Sequence, residues 1–274
     1  MSMQASTSAI EPFFFGAHNR QLYGCYHEPP TWPARDAGVL LCYPHAHEMI
    51  RAHRAFHRLA EQLAHAGFPT LRFDSYGTGD SGGNSADVTI EGWMSDMQMA
   101  ADALRERSGV GHVVLTGMRL GATVALRAAP TLPDVAGLVL WEPLCSGANY
   151  LEELRILHEA AINRFFVLPR DYAATPRPTE LLGFAMPERL RTEIEAIDLL
   201  LEPPLRSLPL LVIESQGAPE MAALVAHLGA GVSSAQVTHQ VIPSFTVWVE
   251  DVDKGLVPQP LIEAITQWLE VTFP

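Results

Sequence analysis

Val113-Val-Leu-Thr-Gly-Met-Arg-Leu-Gly-Ala122 decides the fold. An apolar run leads into Gly117 and Gly121, spaced G-x-x-x-G, and small and apolar residues then resume. The pattern predicts a strand at Val113 to Thr116, a sharp turn, and a helix from Leu120 to Ala129. Glycines belong there because a tight strand-to-helix turn brings backbones into contact. Upstream, Gly38 to Tyr43 is a continuous apolar run, as in a strand buried on both faces of a parallel sheet. Arg54 to Ala66 follows as a helix with Phe56, Leu59, Ala60 and Leu63 on one stripe and Gly67 as its stop. Thr70 to Asp74 is the next strand, Glu91 to Arg107 the next helix, and Val135 to Trp141 a further strand. This alternation predicts an α/β fold, a doubly wound and mostly parallel sheet with right-handed crossovers.

The flanks complete the plan. Pro12 to Ala17 and Leu22 to His27 read as an antiparallel pair around a turn at His18 to Arg20. Residues 144–205 read as helices, among them Tyr150 to His158 and Glu188 to Leu201, broken at Pro169, Pro176, Pro178, Pro187, Pro203 and Pro204. The sheet then resumes with Leu210 to Glu214, a helix at Glu220 to Leu228, a strand at Gln236 to Ile242 and a helix at Pro260 to Leu269. This predicts a core of 1–143 and 206–274 carrying a helical insertion at 144–205.

The 274 residues are 48% hydrophobic with a net charge of −13, enough chain to bury a large core without staples. Thirty-one acidic residues against 18 basic ones, with no basic run, exclude a nucleic-acid binder and electrostatic docking on an anionic membrane. Lys254 is the only lysine, so positive charge here comes almost always as a planar guanidinium. Cys25, Cys42 and Cys145 lack any disulfide or zinc spacing. No signal peptide and no membrane-spanning run are read. The expectation is a soluble, cytoplasmic chain, with self-association left open.

Gly117-Met-Arg-Leu-Gly121 resembles the nucleophile elbow of the α/β-hydrolase fold, G-x-S-x-G, with Arg119 where that fold carries serine. Phe73-Asp-Ser-Tyr-Gly-Thr-Gly-Asp-Ser-Gly82 is similar to the loop after that family's fourth strand. Tyr43-Pro-His-Ala-His-Glu48 sits where its oxyanion loop sits, and residues 144–205 sit where it carries a cap. Glu48 and His53 through Gly82, the elbow, and Trp141-Glu-Pro143 look most like the serine-aminopeptidase-like hydrolases, within them the bacterial exosortase-system-associated subgroup. The resemblance covers nearly the whole chain. It implies a hydrolase fold, action on an ester, thioester or amide, and no cofactor.

The chemistry of such a hydrolase needs a hydroxyl, an imidazole base and an orienting acid. Arg119 cannot be the nucleophile, because guanidinium stays protonated. The loop from Pro243 to Pro258, where the base is expected, has no histidine, and His239 lies too early, inside a strand. After Leu210 to Glu214 the only acid is Glu214. The standard acyl-serine mechanism is therefore not expected. A cation at a helix N-terminus is repelled by roughly 0.3–1 kcal/mol, so Arg119 is expected to face an anion. Internal candidates are Glu48, Glu142 and Glu214, each near a strand end. The external candidate is a ligand carboxylate or phosphate. Backbone N–H groups of Leu120 and Ala46 would form an oxyanion hole.

Three other constellations carry candidate chemistry. His45, His47, Glu48, His53 and His57 suggest either a metal site or chance clustering, with His45 or His47 as a displaced base; no metal is assigned. Cys145, near a strand end, is a thiolate candidate or a buried hydrophobe; Cys25 and Cys42 are assigned to packing. Asp74, Asp80 and Ser81 are read as a structural turn, with Gly77, Gly79, Gly82 and Gly83 supplying positive φ and Asp80 bonding backbone N–H groups. No phosphate-loop spacing is present. Three readings stay open: a hydrolase with a non-standard site, a binding protein for an anionic small molecule or peptide end through Arg119, and a pure protein-interaction partner.

Overall fold

The computed structural model describes residues 9–30, 34–164, 179–203, 208–230, 236–248 and 257–274. An eight-stranded sheet runs through it, with spatial order β1 (Ile10–Ala17), β2 (Arg20–His27), β4 (Thr70–Asp74), β3 (Ala37–Cys42), β5 (His112–Met118), β6 (Val135–Trp141), β9 (Leu210–Glu214) and β10 (Val237–Val241). β2 pairs antiparallel with β1 and β4; every other neighbouring pair is parallel. The doubly wound α/β expectation is met.

The inner parallel strands β3, β5, β6 and β9 are buried on both faces, and alternate residues feed two cores. Leu40, Leu115, Leu140 and Val212 pack under α2 (Ile90–Ser108) and α3 (Leu120–Ala128). Leu41, Val114, Val139 and Ile213 pack under α1 (His47–His65) and α7 (Gln259–Thr272). Such period-two burial is what continuous apolar runs such as Gly38 to Tyr43 produce when helices cover both faces. α2 starts where Thr89 Oγ1 accepts the Gly92 N–H, and ends on Gly109 in left-handed conformation.

The remaining described elements are α4 (Gly147–Arg164), a short hairpin of β7 (Glu180–Leu181) and β8 (Phe184–Ala185), α5 (Glu188–Glu195) and α6 (Pro219–Ala230). Pro187 sits at the N-cap of α5. Pro169, Pro176, Pro178 and Pro204 lie outside the described residues. Two expectations need correction. α1 begins at His47, seven residues before the expected Arg54, because Ala46 at φ 55° reverses the chain directly into the helix. The β7–β8 hairpin was not expected, since two-residue strands carry no readable alternation. No described helix is long and apolar enough to cross a membrane.

Candidate active site

The turn between β5 and α3 is as tight as its glycines imply. A Cβ on Gly117 would lie 2.6 Å from Ala122 Cα, and one on Gly121 would collide with the carbonyl oxygens of Tyr43 and Cys42. Arg119 caps α3 at φ 52° and ψ −124°, a strained conformation for a residue with a side chain. Its N–H donates to Trp141 O at 3.0 Å. Two neighbouring strand ends show the same reversal, Ala46 after β3 and Glu142 after β6 (φ 45°).

The Arg119 side chain turns inward, with 12% of its surface exposed. Its Nε donates to Glu48 Oε1 at 3.0 Å and its Nη2 to Glu153 Oε2 at 2.6 Å. Trp248 faces the guanidinium at 4.7 Å and Tyr150 at 5.5 Å from ring centroid to Cζ. Tyr150 also donates its hydroxyl to Glu48 Oε2 at 3.2 Å. Burial pushes the Glu48 carboxyl up to about 7 against the pull of Arg119. Arg119 itself is held above its ordinary value by the two carboxylates, which outweigh its desolvation.

The other expected partners go elsewhere. Glu142 Oε1 accepts from the Ser215 N–H at 3.0 Å and the Ser215 hydroxyl at 2.6 Å. Glu214 Oε2 accepts from the Ala218 N–H at 2.7 Å, and its Oε1 lies 2.8 Å from His239 Nε2. An acid–imidazole pair is therefore present, with His239 inside β10. Among the described residues no carboxylate other than Glu48 and Glu153 pairs with Arg119.

Sequence reasoning missed Glu153, Tyr150 and Trp248. Tyr150 and Glu153 stand three apart on α4, so they share a helix face. That spacing was visible, but nothing local aimed it at the elbow. Trp248 follows β10 in the loop where a histidine was sought.

The histidines do not converge. Among the described residues no group of three potential ligands could hold a metal ion. His45 is buried against Trp93, with no hydrogen bond to either ring nitrogen, and burial pushes it down to about 4. Burial and two arginines push His47 down to about 4. His53 stacks on Tyr43, and His57 turns toward Glu61 and the His27 ring. Cys145 points at Glu220 O, and burial with nearby carboxylates raises its thiol to about 11, so it has no activating partner.

In the glycine-rich loop the roles shift by one acid. Asp74, not Asp80, accepts a backbone N–H, that of Asp80 itself at 2.9 Å. Gly77, Gly79 and Gly83 hold positive φ as expected, but Gly82 does not. It pairs with the neighbouring strand instead, its N–H donating to Gln21 O at 2.9 Å.

A cavity of about 810 Å³ opens beside the elbow, between the loop after β3, the start of α1, β2, β4 and the β7–β8 hairpin. Ala46 borders it, and Leu120 borders an adjoining space of about 20 Å³ that shares Tyr43, His45, Met49 and Thr78 with it. Arg119 and Glu48 do not line the large cavity. Cys25, assigned to packing, faces it instead, half-buried and opposite Arg72 across the β2–β4 pair.

Residues 42–181 match the family described as serine aminopeptidase, S33. No curated protein is significantly similar to the chain in sequence. Among solved structures, a Pyrococcus furiosus esterase superposes with a TM-score of 0.68 at 16% identity, covering 97% of this chain and 92% of that one. A Mycobacterium smegmatis proline iminopeptidase gives 0.65 at 13% identity, covering 96% and 98%. Mouse alpha/beta hydrolase domain-containing protein 10 gives 0.60 at 19% identity, covering 95% and 98%.

Proposed function

The chain belongs to the serine aminopeptidase S33 family of α/β hydrolases, and from that premise we propose that it works as a binding protein on a hydrolase fold. It takes an anionic small molecule into the cavity beside the elbow and forms no acyl-serine. The observation that carries this reading is the occupation of the elbow. Where an activated hydroxyl is needed, Arg119 is spent on Glu48 and Glu153 and covered by Trp248 and Tyr150. Guanidinium offers neither nucleophile nor base. The adjacent 810 Å³ is in the size range of small-ligand sites. An open chamber of that size also speaks against a pure interaction partner with a closed pocket.

Two assays test it together. Short p-nitrophenyl esters and thioesters are offered as substrates while thermal unfolding is followed with small carboxylates present. The expected result is no turnover above buffer, no fluorophosphonate labelling, and a rise in Tm with ligand. Ester or thioester turnover by the pure protein overturns it.

A second reading, hydrolysis of an ester, thioester or amide by a non-standard site, is favoured by one contact: His239 and Glu214 at 2.8 Å keep an acid-oriented imidazole. It requires turnover that disappears in both His239→Gln and Arg119→Ala. In either reading residues 144–205 act as a cap on a core of 1–143 and 206–274, and the elbow sequence supports placing the chain in the exosortase-associated subgroup.

A further inference from the structure

Among the described residues a buried arginine outside the elbow forms no ion pair with a carboxylate. Arg72, in the middle of β4, is 6% exposed. Its Nε donates to His27 Nε2 at 3.0 Å and its Nη1 to the Tyr43 hydroxyl at 2.9 Å, both neutral acceptors. Among the described residues Nη2 has no partner, and no acidic oxygen lies within 4 Å of the guanidinium. Yet Arg72 borders the large cavity. A buried guanidinium held directly only by neutral acceptors, and bordering a cavity, has room for an anion from outside the chain.

The walls fit such an anion. Arg54 and Arg51 stand on the α1 side of the same cavity, Arg51 also donating to Trp248 O at 3.0 Å. Two carboxylates oppose them. Asp74 lies two residues along β4 on the same face, with Oδ2 taken by the Asp80 N–H; Asp80 is exposed. Among the described residues the lining holds three arginines and two aspartates, against 18 basic and 31 acidic residues in the whole chain. Such a local inversion draws small anions and not polyanions. Met49, Val88, Phe184, Phe245 and Val247 supply apolar wall for the rest of a ligand.

We propose that Arg72 is the anion anchor of this cavity, holding the carboxylate or phosphate head of a small molecule whose short apolar body lies on those walls. The proposal rests on the binding-protein reading and names the chemistry of its ligand. Tyr43 acts as the positioning residue, fixing the guanidinium through its hydroxyl.

Isothermal titration of the intact chain with octanoate, octyl phosphate and octan-1-ol tests it. Both anions, or one of them, bind at least about tenfold tighter than the alcohol of equal length, as a charge-assisted contact requires. Which anion leads tells a carboxylate ligand from a phosphate one. Arg72→Gln removes that advantage, and Tyr43→Phe weakens the anions more than the alcohol. Equal affinity for alcohol and anions, unchanged anion affinity in Arg72→Gln, or no anion binding at all overturns the proposal. If Arg72→Gln does not fold, the wild-type anion-to-alcohol ratio and Tyr43→Phe decide. Binding without charge discrimination sinks the anchor and spares the binding-protein reading; ester turnover with discrimination intact does the reverse.

Discussion

Arg119 Nε and Glu48 Oε1 meet at 3.0 Å across 71 residues of chain, joining the turn before α3 to the first turn of α1. Each charge offsets a problem of the other. Arg119 sits at a helix N-terminus, where the backbone dipole repels a cation, and Glu48 is buried to 1% exposure, where a carboxylate loses its hydration. Together they fill a site that the family premise assigns to catalysis.

Removing one partner strands the other. Arg119→Met is expected to lower stability by about 3 kcal/mol at pH 8 in urea denaturation. The deficit shrinks toward pH 5.5, because Glu48, already raised to about 7, takes up a proton once the cation is gone. Arg119→Met with Glu48→Gln recovers much of the loss. Equal deficits in the single and double variants would show that packing, not charge, dominates.

Glu153 is expected to matter far less. It is 39% exposed, so its bond to Arg119 competes with water. Glu153→Ala should change the urea midpoint by the equivalent of at most about 1 kcal/mol.

Restoring the serine should not restore a serine hydrolase. In Arg119→Ser the guanidinium that Trp248 and Tyr150 cover is gone, but His239, the imidazole paired with Glu214, stays inside β10 and not in the loop after it. Fluorophosphonate labelling should stay at background, as in the wild type. Labelling of the variant would reveal a base within reach and favour the hydrolytic reading.

The glycines of the elbow differ in kind from the capping glycine of α2. Gly121→Ala drives a methyl into the carbonyls of Tyr43 and Cys42 and should cost at least about 3 kcal/mol. Gly109→Ala meets nothing within 4 Å and only has to hold φ 74°, about 1 kcal/mol. Thermal unfolding of the two variants side by side measures the difference.

Acid should unfold the protein through its buried imidazoles. His27 is pushed down to about 3 by burial and then by Arg72, and His45 to about 4 by burial. Both titrate near 6.5 once unfolded, so between about pH 6.5 and 4 the unfolded chain binds more protons and stability falls with pH. His47, also pushed down to about 4, acts with them, and the buried carboxyls of Glu48, Asp74, Asp96 and Glu142, all raised, work in the opposite direction. His27→Gln should flatten the slope of ΔG against pH. A profile as steep as the wild type's would place the acid sensitivity elsewhere.

Much of the architecture is legible in the residues alone. Apolar runs such as Gly38 to Tyr43 and Leu210 to Glu214 are strands because only a sheet covered on both faces buries every residue of such a run. Helix ends were less legible. The start of α1 depends on the backbone reversal at Ala46, and nothing in the residue type Ala announces a positive φ. Cys25 looked like packing because strand alternation says which face a side chain takes and not whether that face is filled.

The sequence by itself determined the fold and the guanidinium at the elbow, since both follow from residue type and local spacing: glycines four apart around a turn, and an arginine between them that cannot shed its proton. Only the tertiary structure decided what that guanidinium meets. Glu48, Glu142 and Glu214 were equivalent as strand-end acids, yet Glu142 turns to Ser215 and Glu214 to Ala218 and His239. Glu48 alone of the three reaches Arg119, joined by Glu153 from α4. Those choices rest on backbone reversals and on contacts between residues 34 and 71 positions apart, and no local pattern encodes such distances.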